Sequence, residues 1–150
     1  MAFRRLNFVL SVVFFSGCGK HSLPQKSGTG ADVVARSYFE ALLRGEWHAA
    51  YDLLDPTSRT RWSEAQFAAR GQSAMRQIGF TPTSVSVAVS EVGDGATAIA
   101  VYRGISGASP RQFKDGTSLK KTDQVWLVIL RNSFGDPSPA PVSRKRRKTG

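Results

Sequence analysis

The chain has 150 residues and a formal net charge of +10, with 21 Lys and Arg against 11 Asp and Glu. Seven of those cations stand at the two ends, as Arg4, Arg5, Arg144, Lys145, Arg146, Arg147 and Lys148, so the remainder carries only +3, which excludes a dedicated nucleic-acid binder. Cys18 is the only cysteine, so no intrachain disulfide can form and a domain of this size must be held by its own core.

Arg4 and Arg5 precede an apolar run over residues 6–15, and Ser16-Gly17 then sets two small residues before Cys18. A basic start, an apolar centre of about ten residues and a small-residue cut site are the parts of an export signal. The run is too short to cross a bilayer, which takes ~20 apolar residues. Phe15-Ser16-Gly17-Cys18 resembles the lipobox of bacterial lipoproteins, with Phe15 standing where an aliphatic residue is usual. That resemblance implies removal of residues 1–17, a diacylglycerol on Cys18 and attachment to a membrane of the bacterial cell envelope. Gly19-Lys20, with no Asp after the cysteine, points by the same resemblance to the outer membrane. The plainer alternative, a cysteine near the end of an ordinary signal, would leave a reactive thiol in an exported chain.

Residues 18–30 contain Ser, Pro, Gln, Lys and Gly with one Leu, and read as the lipidated cysteine followed by a flexible tether. Thr29 with Asp32 is expected to cap a first helix carrying Val34, Tyr38, Ala41 and Leu42, which Gly45 ends as a left-handed cap. Trp47, Ala50, Tyr51 and Leu54 fall at i, i+3, i+4 and i+7, the stripe of a second helix. Asp55-Pro56 is expected to stop it, because the residue before a proline is pushed out of the α region. Ser63 with Gln66 is a capping box opening a third helix with Phe67, Ala68, Met75 and Ile78, where Gly71 is a point of interruption.

After Gly79 the period changes to two. Val85, Val87 and Val89 alternate with Ser84, Ser86, Ala88 and Ser90, giving one buried and one wet face. Val92-Gly-Asp-Gly95 reads as a hairpin turn whose glycines supply positive φ. The return strand, 96–105, sets Ala98, Ala100 and Tyr102 on one face and Thr97, Ile99 and Val101 on the other. A loop at 107–110, a weaker strand at 112–120, a turn at 121–123 and a Val- and Ile-rich central strand at 124–131 with Trp126 complete the order. Helices followed by an antiparallel meander make an α+β domain over 31–132. Residues 133–150 read as a disordered tail, proline-rich at 136–141. Its cluster Arg144, Lys145, Arg146, Arg147 and Lys148 is a candidate contact for an anionic surface, not for a specific nucleic acid.

The pattern Val33-Val-Ala-Arg-Ser-Tyr-Phe-Glu-Ala-Leu-Leu-Arg-Gly-Glu-Trp47, with Ala49-Ala-Tyr-Asp-Leu-Leu54 and Val125-Trp-Leu-Val-Ile-Leu130, resembles the nuclear transport factor two-like (SnoaL-like, cystatin-like) superfamily. The resemblance implies a curved antiparallel sheet wrapped around the N-terminal helices as a cone. Tyr38, Trp47, Tyr51, Trp62, Phe67, Phe80, Tyr102 and Trp126 are then the aromatics available to line its interior, against the plainer reading of each as core. Enzymes of the superfamily use an acid or histidine base inside the cone.

For such chemistry the sequence is sparse. His48 and Asp52 are i, i+4 on the second helix but lie beside its stripe, as a solvated pair would. His21 falls in the tether. Glu91, Asp94, Asp115 and Asp123 are read at turns or strand ends, leaving no buried base. No His, Cys or carboxylate cluster suits a metal, and the glycine pairs lack the lysine of a nucleotide loop, so no cofactor is expected. The leading expectation is a lipid-anchored envelope protein whose domain binds a small ligand or protein partner without catalysis. The alternative is a small isomerase- or dehydratase-like enzyme with a base in the cone. Service to a penicillin-binding or secretion machine is a third reading. A His or carboxylate facing the cavity would favour the enzyme. The serines of the outward sheet face suit a monomer.

Overall fold

The computed structural model describes residues 29–136. The export-type segment, Cys18, His21 and the basic cluster at 144–148 lie outside the described residues. Four helices, α1 (Ala31–Arg44), α2 (Trp47–Asp52), α3 (Pro56–Arg61) and α4 (Glu64–Gln77), precede four strands, β1 (Thr81–Val92), β2 (Gly95–Ser106), β3 (Ser109–Thr122) and β4 (Val125–Ile129). The strands form one curved antiparallel sheet in sequence order. None of the described helices is long and apolar enough to cross a membrane.

The core lies between the helices and one face of this sheet. On β2 the inward residues are Ala96, Ala98, Ala100 and Tyr102, all buried. The small alanines let α1 lie close to the sheet, with Ala35, Tyr38, Phe39 and Leu42 on its buried side. The expected alternation thus holds for β1 and β2, and Val85, Val87 and Val89 share the inward face. Trp126 also faces the helices, buried with Val128 and Leu130.

Several local expectations are corrected. Gly30, not Thr29, is the N-cap of α1, in a left-handed conformation and without a side-chain bond. Thr29 instead donates to Glu91 Oε2 at 2.8 Å and accepts from Trp126 Nε1 at 2.8 Å, pinning the start of the domain to the sheet. The second helix ends at Asp52, before Leu54. Leu54 bridges to Val128, where Val128 N donates to Leu53 O at 2.8 Å and Asp55 N to Val128 O at 2.9 Å. Asp55-Pro56 starts a helix as well as ending one: Asp55 caps α3 by accepting from the amides of Thr57 and Ser58, with Pro56 in the first turn. The capping box of Ser63 and Gln66 is present, but Gly71 does not interrupt α4. A Cβ there would stand 2.4 Å from the Trp47 ring, so glycine permits close packing of α2 on α4.

In the sheet, β3 extends over Ser109–Thr122, and the expected loop at 107–110 shrinks to a two-residue turn. Only Gly93 of the first hairpin takes positive φ; Gly95 does not, as a turn with a single left-handed central residue requires. β4 is an edge strand, not a central one, and the chain at 53–55 covers part of its free edge. Packed chain also continues beyond 132: Phe134 is buried, and Arg70 Nη1 donates to Phe134 O at 3.1 Å and to Asp136 Oδ1 at 2.5 Å. Residues 133–136 therefore belong to the domain, not to a tail.

The last hairpin turns through Asp123 and Gln124, both at positive φ (49° and 66°). Left-handed backbone costs an ordinary residue about 1–2 kcal/mol. Gln124→Gly is expected to stabilise the domain by about 0.5–1 kcal/mol after the unfolded-state entropy of glycine is counted, seen as a raised melting temperature.

Candidate functional site

A cavity of about 250 Å³ opens between the C-terminal half of α4, the Tyr102–Phe113 pair of β2 and β3, and the segment 131–136. Leu42, Gly71, Ala74, Met75, Ile78 and Phe113 supply its apolar wall, and Tyr102, Asp115, Arg131, Ser133 and Asp136 its polar groups. Asp115 arrives there by register. Leu119, Thr117 and Asp115 share the inward face of β3, and Asp115 stands opposite Ala100 on β2. It is in mid-strand, not at a strand end as expected, with only 16% of its side chain exposed. Arg131 Nη2 lies 2.7 Å from Asp115 Oδ1, and the Gly116 amide donates to the same oxygen at 2.7 Å.

Tyr102 is the second polar element. Its hydroxyl is buried and has no hydrogen-bond partner among the described residues. Leaving such a group unpaired costs about 1–3 kcal/mol, so any hydrogen-bond partner brought within its reach would be stabilised. Burial, with the nearby Asp115 charge adding to it, pushes the Tyr102 phenol well above its ordinary range. The Tyr38 phenol is raised for the same first reason, then by Tyr102 and Asp115. Both therefore act as neutral hydroxyls at physiological pH.

Of the aromatics proposed for the interior, only Tyr102 lines this cavity. Trp47 and Phe80 border a shallower opening with Arg44, Met75 and Pro82. Tyr38 borders a crevice of about 10 Å³. Tyr51, Phe67, Trp62 and Trp126 do other work. Phe67 is fully buried core. Tyr51, partly buried, donates from Oη to the carbonyls of Trp62 and Arg59 at 2.9 and 3.1 Å. Trp62 carries the Arg70 guanidinium 4.5 Å above its ring, and Trp126 is tied to Thr29. Asp115 and Arg131 are the residues missed from the sequence. Extending the period-two pattern back from Leu119 through Thr117 would have found Asp115.

His48 lies away from the cavity, on the surface. Its Nε2 is 3.5 Å from Asp52, as the i, i+4 spacing suggested, but Glu64 of α4 is closer, 3.1 Å from Nδ1. Glu64 first, and Asp52 with it, raise the His48 pKa. The sign follows: the pair's stabilisation is complete below the unfolded histidine value near 6.5 and fades as pH rises through the higher folded value. A proton NMR titration should show the His48 midpoint above that of the same histidine in unfolded chain, and Glu64→Gln should lower it. Among the described residues no group of three or more such side chains could hold a metal.

A nuclear transport factor two-like (NTF2-like) protein of Campylobacter jejuni, named as a transpeptidase, superposes on 66% of this chain and 96% of its own, with 14% identity and a TM-score of 0.51. The fold is nuclear transport factor two-like. A SEC-C motif-containing protein of Rhodopseudomonas palustris covers 67% of this chain and 77% of its own at 18% identity, with a TM-score of 0.49. No family model and no curated protein matches the chain. At 14% identity the likeness to the Campylobacter protein concerns the fold alone, so the chemistry of the cavity has to be argued from its own residues.

Proposed function

We propose that the domain is a small-molecule-binding module, carried on the bacterial cell envelope by an acylated Cys18. The observation that carries the binding reading is the unpartnered Tyr102 hydroxyl beside the Asp115–Arg131 pair at an apolar cavity. Apolar walls with a few convergent polar groups are the ordinary make-up of a ligand site, and about 250 Å³ lies just below the usual size range. Arg131 is compensated by Asp115, so the site offers hydrogen bonds more than net charge. That favours an uncharged, mostly apolar ligand with one or two acceptors or hydroxyls.

A second reading has an observation in its favour: a carboxylate, Asp115, does face the cavity, as a base for proton abstraction requires. Its Oδ1 is engaged by Arg131 and by the Gly116 amide, which suits a structural ion pair better than a free base. Transpeptidation, which the Campylobacter neighbour's name mentions, calls for an activated nucleophile. Among the described residues, Ser133 is the only Ser or Cys at the cavity wall, and no histidine lines it.

Acetophenone serves as a probe, with one carbonyl on an apolar ring. Its titration is expected to give saturable NMR shifts at Met75 and Ile78, weakened several-fold by Tyr102→Phe, since one buried hydrogen bond is worth about 0.5–1.5 kcal/mol. Met75→Trp, which fills the cavity, is expected to abolish them. Unsaturable shifts, or equal shifts in Met75→Trp, would count against a ligand site. Loss of an α-proton of the ketone to deuterated solvent, abolished in Asp115→Asn, would favour the enzyme instead. For the anchor, Cys18→Ser should abolish the mass of the lipid and shift the chain out of the membrane fraction or leave it unprocessed. Identical mass and fraction for both would sink that part.

A further inference from the structure

We propose that the outward face of the sheet is a docking surface for an anionic phospholipid bilayer. This face is opposite the cavity and the helices. Its residues follow from the register: Ile99 stands between Ala88 of β1 and Gly116 of β3, and the next rows bring Val101 beside Lys114 and Ser118 beside Ile129. Because Ala88 and Gly116 are small, they leave Ile99 unshielded, 51% exposed in the middle of the sheet. Ile105 is 62% exposed and Ile129 38%. The serines at 84, 86 and 90 suggested a wet face, but the centre of the sheet is aliphatic.

The charges decide the occupant. Three cations, Arg103, Lys114 and Lys120, project from the outward side of β2 and β3, and no outward position of the four strands is acidic. Lys120 lies toward one end of the sheet and Arg103 and Lys114 toward the other, with Ile99 and Ile129 in the rows between them, Val101 beside Lys114, and Ile105 beyond Arg103. Aliphatic side chains flanked by cations suit a surface of anionic headgroups over an apolar interior, where each basic residue and each buried aliphatic group adds to attraction. A second copy packed on this face would bring six such cations together without a carboxylate from either sheet face, which disfavours it. The entry of the chain is compatible with this docking. Thr29 is held at the Glu91 and Trp126 end of the sheet, and it follows Cys18 by eleven residues, a reach of at most about 40 Å. The docking does not depend on what the cavity binds, and it leaves the cavity side of the domain turned away from the lipid.

The test uses the full chain added to vesicles of phosphatidylcholine alone or mixed with phosphatidylglycerol. Acetylation rates of single lysines are read by mass spectrometry. Lys121, half-buried on the inward face, is the internal standard. Lys114 and Lys120 are expected to react about fivefold more slowly on phosphatidylglycerol vesicles, the factor for one basic residue at such a surface. The protection should fade at molar salt, where screening is nearly complete, and in Ile99→Ser, a change at an exposed site that should leave the melting temperature close to wild type. Equal rates on the two vesicle types overturn the proposal. Protection that is already present in detergent micelles, with a doubled mass in sedimentation, also overturns it, because a second copy then covers the face.

Discussion

Replacing Phe67 by alanine is expected to cost about 3–5 kcal/mol of unfolding free energy. The ring is fully buried, stacked on Phe134 at 5.2 Å and 13°, and 5.7 Å from Tyr51. Its surroundings cannot close over the gap. Tyr51 is held by its hydroxyl on the carbonyls of Arg59 and Trp62, and the carbonyl of Phe134 is held by Arg70. The residual cavity should therefore persist, which puts the cost toward the upper end. Urea unfolding monitored by circular dichroism measures it. The result also separates two roles offered by the sequence: core, or wall of a ligand site. A cost below about 1 kcal/mol, the range of surface changes, together with altered acetophenone binding, would return Phe67 to the cavity wall.

Leu54→Ala is expected to cost about 2–5 kcal/mol, from a residue that belongs to no helix. Leu54 is fully buried and sits where α2 has ended and α3 has not begun. The backbone on either side of it pairs with Val128, so this short segment completes part of the hydrogen bonding of β4. Weakening it uncovers a sheet edge, and uncovered edges invite association with other chains. The variant should therefore lose stability and also aggregate sooner on heating. Hydrogen exchange at the Val128 amide, which bonds Leu53 O, should accelerate ahead of the amides of β2. Leu54→Met, nearly conserved in volume, should cost under about 1.5 kcal/mol. Equal losses in both would place the effect outside packing.

The expected helix over Trp47–Leu54 shows where pattern reading stops. The stripe at i, i+3, i+4 and i+7 does mark residues that face inward, but facing inward does not require one continuous helix. Ala50 is buried on α2, and Leu54 reaches the same core from extended chain. Periodicity reports burial, and the Val128 backbone decides how the chain gets there. Asp55-Pro56 carried two local meanings at once, a stop for the preceding residues and a cap for the following ones. The second was legible, since aspartate at the cap and proline in the first turn are both favoured.

What the sequence determined by itself is what spacing and short-range chemistry control. Gly45 at φ 71° ends α1, the Ser63–Gln66 box opens α4, and small Ala98 and Ala100 alternate inward on β2 against outward Ile99. Each depends on neighbours within a turn of helix or two residues of strand, so the α+β order could be read without coordinates. The tertiary structure alone decided the edge position of β4, the inclusion of residues 133–136, and the meeting of Asp115 with Arg131 beside Tyr102. Those depend on which distant segments touch: Arg70 to Asp136, Thr29 to Trp126, β3 to the chain after β4. The partner of a buried charge or hydroxyl is chosen by packing across the whole core, and a strand's own alternation shows only that such a group points inward.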